Sequence, residues 1–194
     1  MRIHATGLPG LVILEPVVHR DHRGFFLETF RKETLAQAGL PHEFVQDNHA
    51  RSEQCGVLRG LHFQLPPAAQ AKLVWVTRGS VLDVVVDLRR GSPTFGHHYA
   101  ITLSADNFKR LLVPRGFAHG YMTLEPGTEF QYKVDALYAP QLEAGIRYND
   151  PDLGIVWPAM PPILSDKDTV LPRLAEFESP FLFDPAATDQ GLTD

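Results

Sequence analysis

Gly56-Val-Leu-Arg-Gly-Leu-His62-Phe-Gln64, then a loop over 65–71, then Lys72-Leu-Val-Trp-Val-Thr-Arg-Gly79, is the stretch that decides how this chain is read. Each half is an apolar-rich run of strand length bounded by glycine or by Leu65-Pro66-Pro67, and so predicts a β-strand. The pair places His62 on one strand and Lys72 at the head of the next, with Arg59 three residues before the histidine. A base, a cation and an anion-binding group thus lie within fourteen residues, Arg59 to Lys72.

Working outward, the same alternation of short apolar runs and turn signals recurs. Val12–Leu14 begins a strand, His19–Gly24 reads as a polar turn, and Phe25–Phe30 as a further strand. Lys32–Ala38 is the best helix candidate, closed by Gly39 and Pro41. Phe44–Gln46 resumes extended structure. Strands are then predicted at Val57–Gln64, Lys72–Arg78, Ser80–Leu88, Gly96–Leu103, Arg110–Pro114, Ala118–Leu124 and Thr128–Ala136. Beyond residue 138 loops take over, with a short strand at Ile155–Trp157 and a charged turn at Ser165–Asp168 leading into a short helix or coil. Many short strands punctuated by Gly and Pro predict an all-β, double-sheet or closed architecture such as a jelly roll, with a few short helices. One domain is expected over 1–183, with a flexible polar tail at 184–194.

Composition narrows the function. The chain has 194 residues, 44% of them apolar, enough for a substantial core. A net charge of −5 without a basic block argues against nucleic acid or an anionic membrane as partner. Cys55 stands alone, so no intrachain disulfide can form, and a reducing cytoplasm is the expected home. The first residues lack a signal-peptide core, and no apolar run approaches the ~20 residues of a membrane span.

Two stretches have the spacing of metal-cupin motifs. Gly56 and His62-Phe-Gln64 are similar to the first motif, Pro114-Arg-Gly116-Phe-Ala-His119 to the second. The first motif asks for a second histidine where Gln64 stands and an acid where Lys72 stands. An ammonium repels a divalent cation, and a catalytic metal needs about three protein ligands. No metal is therefore expected.

Gly56–Gln64, Gly91-Ser-Pro-Thr-Phe-Gly96, Val113–Gly120 and Glu129-Phe-Gln-Tyr132-Lys closely resemble the dTDP-4-dehydrorhamnose 3,5-epimerase family. So do Gln46-Asp-Asn48-His, Gly145–Pro151 and Ser165-Asp-Lys167-Asp168. The resemblance runs from about Leu11 to Pro172 and departs in detail at Tyr148 and Trp75. It implies a metal-free cupin-fold homodimer, without cofactor, acting on a dTDP-linked 4-keto-6-deoxy sugar.

Such a reaction inverts carbons flanking a ketone. It needs a base near neutral pKa, a positive group at the ketone oxygen, and an acid on the opposite face. His62 fits the base. Lys72 fits the group that steadies the enolate. Asp168 resembles the family's carboxylate partner to the histidine, with Asp166 the competing choice; Tyr132 resembles its proton donor. His119 either binds sugar or diphosphate or supports the His62 region. Arg59 fits diphosphate, its fork gripping oxygens in pairs, and Arg23 and Lys167 sit in matching family motifs. Glu28, Gln46, Asn48 and Glu143 resemble residues that hold nucleotide or sugar. Phe26 is either a platform for the base or a core residue. The family also implies that N-terminal strands cross to a partner subunit and line its pocket. Against double epimerisation stand inversion of one carbon in another deoxysugar pathway, a non-catalytic nucleotide-sugar-binding cupin, and a metal cupin oxygenase.

Overall fold

The computed structural model describes residues 1–40 and 42–187. Pro41 and residues 188–194 of the expected tail lie outside this range. Thirteen strands are described: β1 (Arg2–Ala5), β2 (Val12–Glu15), β3 (Val18–Asp21), β4 (Gly24–Leu27), β5 (Gln46–Ser52), β6 (Leu58–Gln64), β7 (Lys72–Arg78), β8 (Ser80–Asp87), β9 (His98–Ser104), β10 (Arg110–Val113), β11 (Phe117–Thr123), β12 (Thr128–Val134) and β13 (Glu143–Gly145). Two short helices, α1 (Lys32–Gln37) and α2 (Asp166–Thr169), accompany them.

One sheet has the order β1-β2-β10-β7-β12-β5, the other β13-β6-β11-β8-β9, and β3 and β4 form a separate hairpin. The two large sheets are stacked. Val74, Val76, Leu111 and Phe130 of the first meet Val81, Val85, Leu103 and Phe117 of the second in one buried cluster. The continuous apolar run of β8 follows from this stacking. Val81 and Val85 face the other sheet, while Val84 and Val86 pack outward against Phe181, Ile146 and Leu153. On the far side of the six-stranded sheet, Leu35 of α1 and Leu40 cover Val12, Leu73 and Leu112. The architecture is the all-β double-sheet sandwich that the strand pattern predicts.

One irregularity shapes the site. Between β6 and β11, His62 pairs with His119 and Arg59 pairs with Tyr121, with a register shift between. Gly60 and Leu61 therefore oppose Gly120 alone, a β-bulge. Two glycines are required here. A Cβ on Gly60, whose φ is +131°, would lie 2.5 Å from the Gly120 Cα, and one on Gly120 would lie 2.7 Å from the Arg59 carbonyl oxygen. In a regular strand, residues three apart point to opposite faces. The extra residue turns Arg59 and His62 to the same side.

Several expected elements differ. His19–Asp21 is strand rather than turn, because Val18–Asp21 pairs with Gly24–Leu27 and only His22-Arg23 makes the bend. The strand beginning near Phe25 stops at Leu27. β5 continues to Ser52 along a polar sequence, since Gln46, Asn48 and Ala50 face a cavity rather than a core. Ile155–Trp157 is not a strand: Val156 is 85% exposed, and the segment is pinned by the Trp157 indole N–H, which donates to the Tyr148 carbonyl at 2.9 Å. The charged Ser165–Asp168 stretch itself forms α2, with Ser165 as its N-cap.

Candidate active site

The two sheets line a cavity of about 600 Å³. The six-stranded sheet contributes Gln46 and Asn48 from β5, Lys72 from β7 and Tyr132 from β12. The opposing sheet contributes Arg59 and His62 from β6, His119 from β11 and Glu143 from β13, and α2 closes the rim with Lys167 and Asp168. Ten of the thirteen residues singled out in the sequence thus converge on one cavity. Arg23, Phe26 and Glu28 do not: they lie on or just after the β3–β4 hairpin, where Phe26 is 71% exposed. Arg23 is paired with Asp21, and Glu28 with Arg31. Phe26 is therefore not a core residue.

His62 is held by Asp168, whose Oδ1 lies 2.5 Å from Nε2. The carboxylate is 3% exposed and its other oxygen accepts from the Ser165 hydroxyl at 2.7 Å. Burial pushes the Asp168 carboxyl upward, but the hydrogen bonds from His62 and Ser165 outweigh burial and hold it below the ordinary carboxylate range. An ionised carboxylate can only accept, so Nε2 carries the proton and Nδ1 is the ring's basic nitrogen. Of the two candidate acids, the structure places Asp168 on His62; Asp166 begins α2 and its carbonyl accepts from the Thr169 hydroxyl.

Lys72 reaches in from the facing sheet, its Nζ 3.5 Å from the His62 carbonyl oxygen. Burial pulls the ammonium down to about 8, against the carboxylates of Asp83 and Glu143, which favour its charge. Tyr132 is a partly buried phenol on β12, raised above its ordinary value by burial and the Glu143 carboxylate, with Arg59 opposing. His62 and Tyr132 stand on opposite sheets.

Polar links bind the rim together. Lys167 Nζ donates to Glu143 Oε1 at 2.7 Å, and the Tyr138 hydroxyl donates to Oε2 at 2.9 Å. Burial raises the Glu143 carboxyl, but these two donors hold it below its usual range. Gln46 donates to Asn48 and accepts from the Tyr138 backbone N–H. Tyr138, Ser165 and Asp83 were not singled out in the sequence. Tyr138 sits in a loop with no periodicity to mark it, and Ser165 is there only as the head of the Ser165–Asp168 motif, without a role. Asp83 had a signal, a lone acid between Leu82 and Val84 in an apolar run; it is fully buried and holds His119.

The chemistry of the donor set bears on a metal. Gln64, at the place of a second histidine, donates to the carbonyls of Ala68 (2.7 Å) and Leu137 (3.3 Å) and accepts from the Ala139 N–H (2.7 Å). Its amide is committed to two loops and is absent from the cavity lining. Among the described residues no group of three or more His, Cys, Asp or Glu is arranged to hold a metal ion. Nor is any helix among them long and apolar enough to cross a membrane.

Comparison with known proteins agrees with this geometry. A dTDP-4-dehydrorhamnose 3,5-epimerase of Shigella flexneri is 48% identical over 169 residues, covering 87% of this chain and 93% of the relative. A dTDP-4-dehydro-6-deoxyglucose 3-epimerase of a Streptomyces species is 40% identical over 91% of this chain and 90% of its own. The crystal structure of the 3,5-epimerase of Bacillus anthracis, with TDP and PPi bound, superposes with a TM-score of 0.87 at 48% identity, covering 89% of this chain and 98% of that one. The Legionella pneumophila enzyme in complex with dTDP-4-keto-L-rhamnose gives 0.90 at 41% identity, covering 94% and 98%. The fold is thus the cupin-like β fold of these enzymes. The model of the dTDP-4-dehydrorhamnose 3,5-epimerase family matches residues 5–176, nearly the whole chain, and the chain belongs to that family.

Proposed function

We propose that this protein is a cofactor-independent isomerase that converts dTDP-4-dehydro-6-deoxy-D-glucose to dTDP-4-dehydro-L-rhamnose by inverting C3 and C5. The observation that carries the reading is the meeting, in one cavity, of the His62–Asp168 pair from one side and Tyr132 from the other, with Lys72 between the sheets. His62 Nδ1 takes the proton from a carbon beside the ketone, and the C–H electrons become the enolate π-bond as charge moves to oxygen. Lys72 faces that oxygen and stabilises the charge. Tyr132 then gives its phenolic proton to the same carbon from the opposite face, which inverts it. Solvent restores the proton to Tyr132 and removes the one on His62. Burial keeps Tyr132 protonated at neutral pH, as a donor must be. No step asks for a metal, and Lys72 stands where the metal-cupin motif has an acidic ligand.

Arg59 and Lys167 are the diphosphate contacts in this reading, Gln46, Asn48 and Glu143 the polar contacts to nucleotide or sugar. Arg23, Phe26 and Glu28 act in a second subunit. The exposed aromatic face of β4 is suited to insertion into a partner's cavity in a two-fold homodimer. The setting is the cytoplasm.

Solvent-deuterium exchange with product stereochemistry by NMR tests the reading. Deuterium at both C3 and C5, with both centres inverted, is the expected result. Uptake and inversion at C3 alone would install the second reading, a 3-epimerase, which the 40%-identical Streptomyces relative favours. No exchange at either carbon would leave a binding protein.

A further inference from the structure

Lys72 is the first residue of β7, paired with Val113 on one side and Val134 on the other. Its stem is long and flexible. Among the described residues its ammonium makes one hydrogen bond, the long 3.5 Å contact to the His62 carbonyl. Little at the tip therefore fixes where the charge sits, and the aim of the side chain is inherited from the backbone beneath it. That backbone is a strand end, where a ladder is least protected. The residue before it, Ala71, is fully buried, so its N–H requires an acceptor. Asp135 supplies one. Its Oδ1 accepts from the Ala71 N–H at 2.7 Å, and its own backbone N–H donates to the Ala71 carbonyl at 3.3 Å. Beside them the Gln70 amide donates to the Ala136 carbonyl at 2.7 Å.

We infer that Asp135 is a positioning residue for Lys72: its carboxylate clamps the head of β7 at Ala71 and so sets the ammonium at the ketone oxygen. The inference rests on the epimerase reading, from which Lys72 takes its task. The carboxylate is itself held. Its side chain is 7% exposed, and Oδ2 lies 3.1 Å from Arg115 Nη2 and 3.4 Å from His42 Nδ1. Three segments thus meet on it: the bend between β10 and β11, the stretch before β5 and the end of β12. Burial raises the carboxyl, but His42, the Ala71 N–H and Arg115 outweigh burial and hold it below the ordinary carboxylate range. At neutral pH it is therefore an ionised acceptor, which suits a clamp on an N–H. Asp135 is absent from the cavity lining, whereas Lys72 belongs to it. Its route to the reaction is through the strand, not through contact with substrate.

The test is a double-mutant cycle of Asp135→Ala with Lys72→Met, read as kcat and KM. With Lys72 present, Asp135→Ala should lower kcat by about tenfold or more and leave KM within about threefold, because a misplaced ammonium fails the enolate rather than the ground state. In Lys72→Met the same change should lower kcat by less than about twofold, since the group it serves is gone. Asp135→Asn keeps an oxygen for the Ala71 N–H and should hold kcat within about threefold of the unaltered enzyme. A residue that only holds the fold together would cost the same factor in both backgrounds. That outcome overturns the inference, as does an unchanged kcat in Asp135→Ala, a loss carried by KM alone, or an Asn variant as impaired as the Ala one. Should Asp135→Ala not fold, amide hydrogen exchange in the unaltered protein decides. An Ala71 N–H as protected as the ladder amides of β7 supports the clamp, and one that exchanges like an open loop overturns it. Failure of the epimerase reading is seen separately, as absence of deuterium exchange at C3 and C5 in the unaltered enzyme.

Discussion

Replacing Lys72 with methionine should make the protein more stable and nearly inactive. Lysine's ordinary value of 10.5 falls to about 8 here, and burial is the leading cause. At 1.36 kcal/mol per pH unit this difference corresponds to about 3 kcal/mol, an upper bound because the cavity admits water. A realistic gain from removing the charge is about 1–3 kcal/mol. Methionine keeps the unbranched stem and needs no solvation. The sign follows from linkage. The folded-state value is depressed, so the cost is fully present below pH 8 and is relieved as pH rises toward 10.5. Lys72→Met should therefore raise Tm by about 2–10 °C at pH 7, with the gain shrinking by pH 10. Turnover should fall by about 10²–10³, the loss typical of removing one group that stabilises an oxyanion. Thermal melts at pH 7 and 10, with initial rates on the same preparations, read both effects. A lower Tm at pH 7, or activity within tenfold of the unaltered enzyme, would refute the account of Lys72 as a costly charge kept for catalysis.

Asp168→Asn should cut kcat by about 10²–10⁴ with little change in KM, because the amide can present N–H to His62 and reverse the tautomer; steady-state kinetics separate the two parameters. Gly120→Ala should destabilise the fold by about 2 kcal/mol or more, since the new Cβ meets the Arg59 carbonyl oxygen at 2.7 Å; the urea midpoint measures it, and an unchanged midpoint would remove the bulge from the account. If the β3–β4 hairpin completes a partner's site, mixing inactive Arg23→Ala and His62→Ala proteins, unfolding and refolding them together, should recover roughly a quarter of the activity. Two inactive parents giving an inactive mixture would place Arg23 in its own subunit's service.

The sequence revealed most where side-chain pattern and backbone role coincide. β7 and β8 were legible because Gly79 separates two apolar runs and both faces of β8 are buried. β5 was legible only at its start, because its inward face is amide and alanine looking into a cavity, which leaves no apolar alternation to read. Ile155–Trp157 misled for the converse reason: Ile155 and Trp157 pack against the core from an irregular segment while Val156 stands exposed, which looks the same in sequence as a half-buried strand. Among site residues, the motif context carried His62, Lys72, Asp168 and Tyr132. Spacing alone pointed the wrong way for Arg59, which belongs three residues from His62 and on the opposite face, until the bulge at Gly60 is known. Asp83 was visible as an acid in an apolar strand, but its partner His119 lies 36 residues away, beyond any local pattern.

Gln64 has a consequence for attempts to build a metalloenzyme on this scaffold. Its amide moors the start of the 65–71 loop and the 137–139 segment at once, through two carbonyls and one N–H. Writing histidine there would supply a ligand atom yet cast adrift three main-chain groups that an imidazole, with two ring nitrogens, cannot all recapture. The route back to a metal centre is thus obstructed by carpentry as well as by charge, and a designer would have to rebuild both loops before adding the ion.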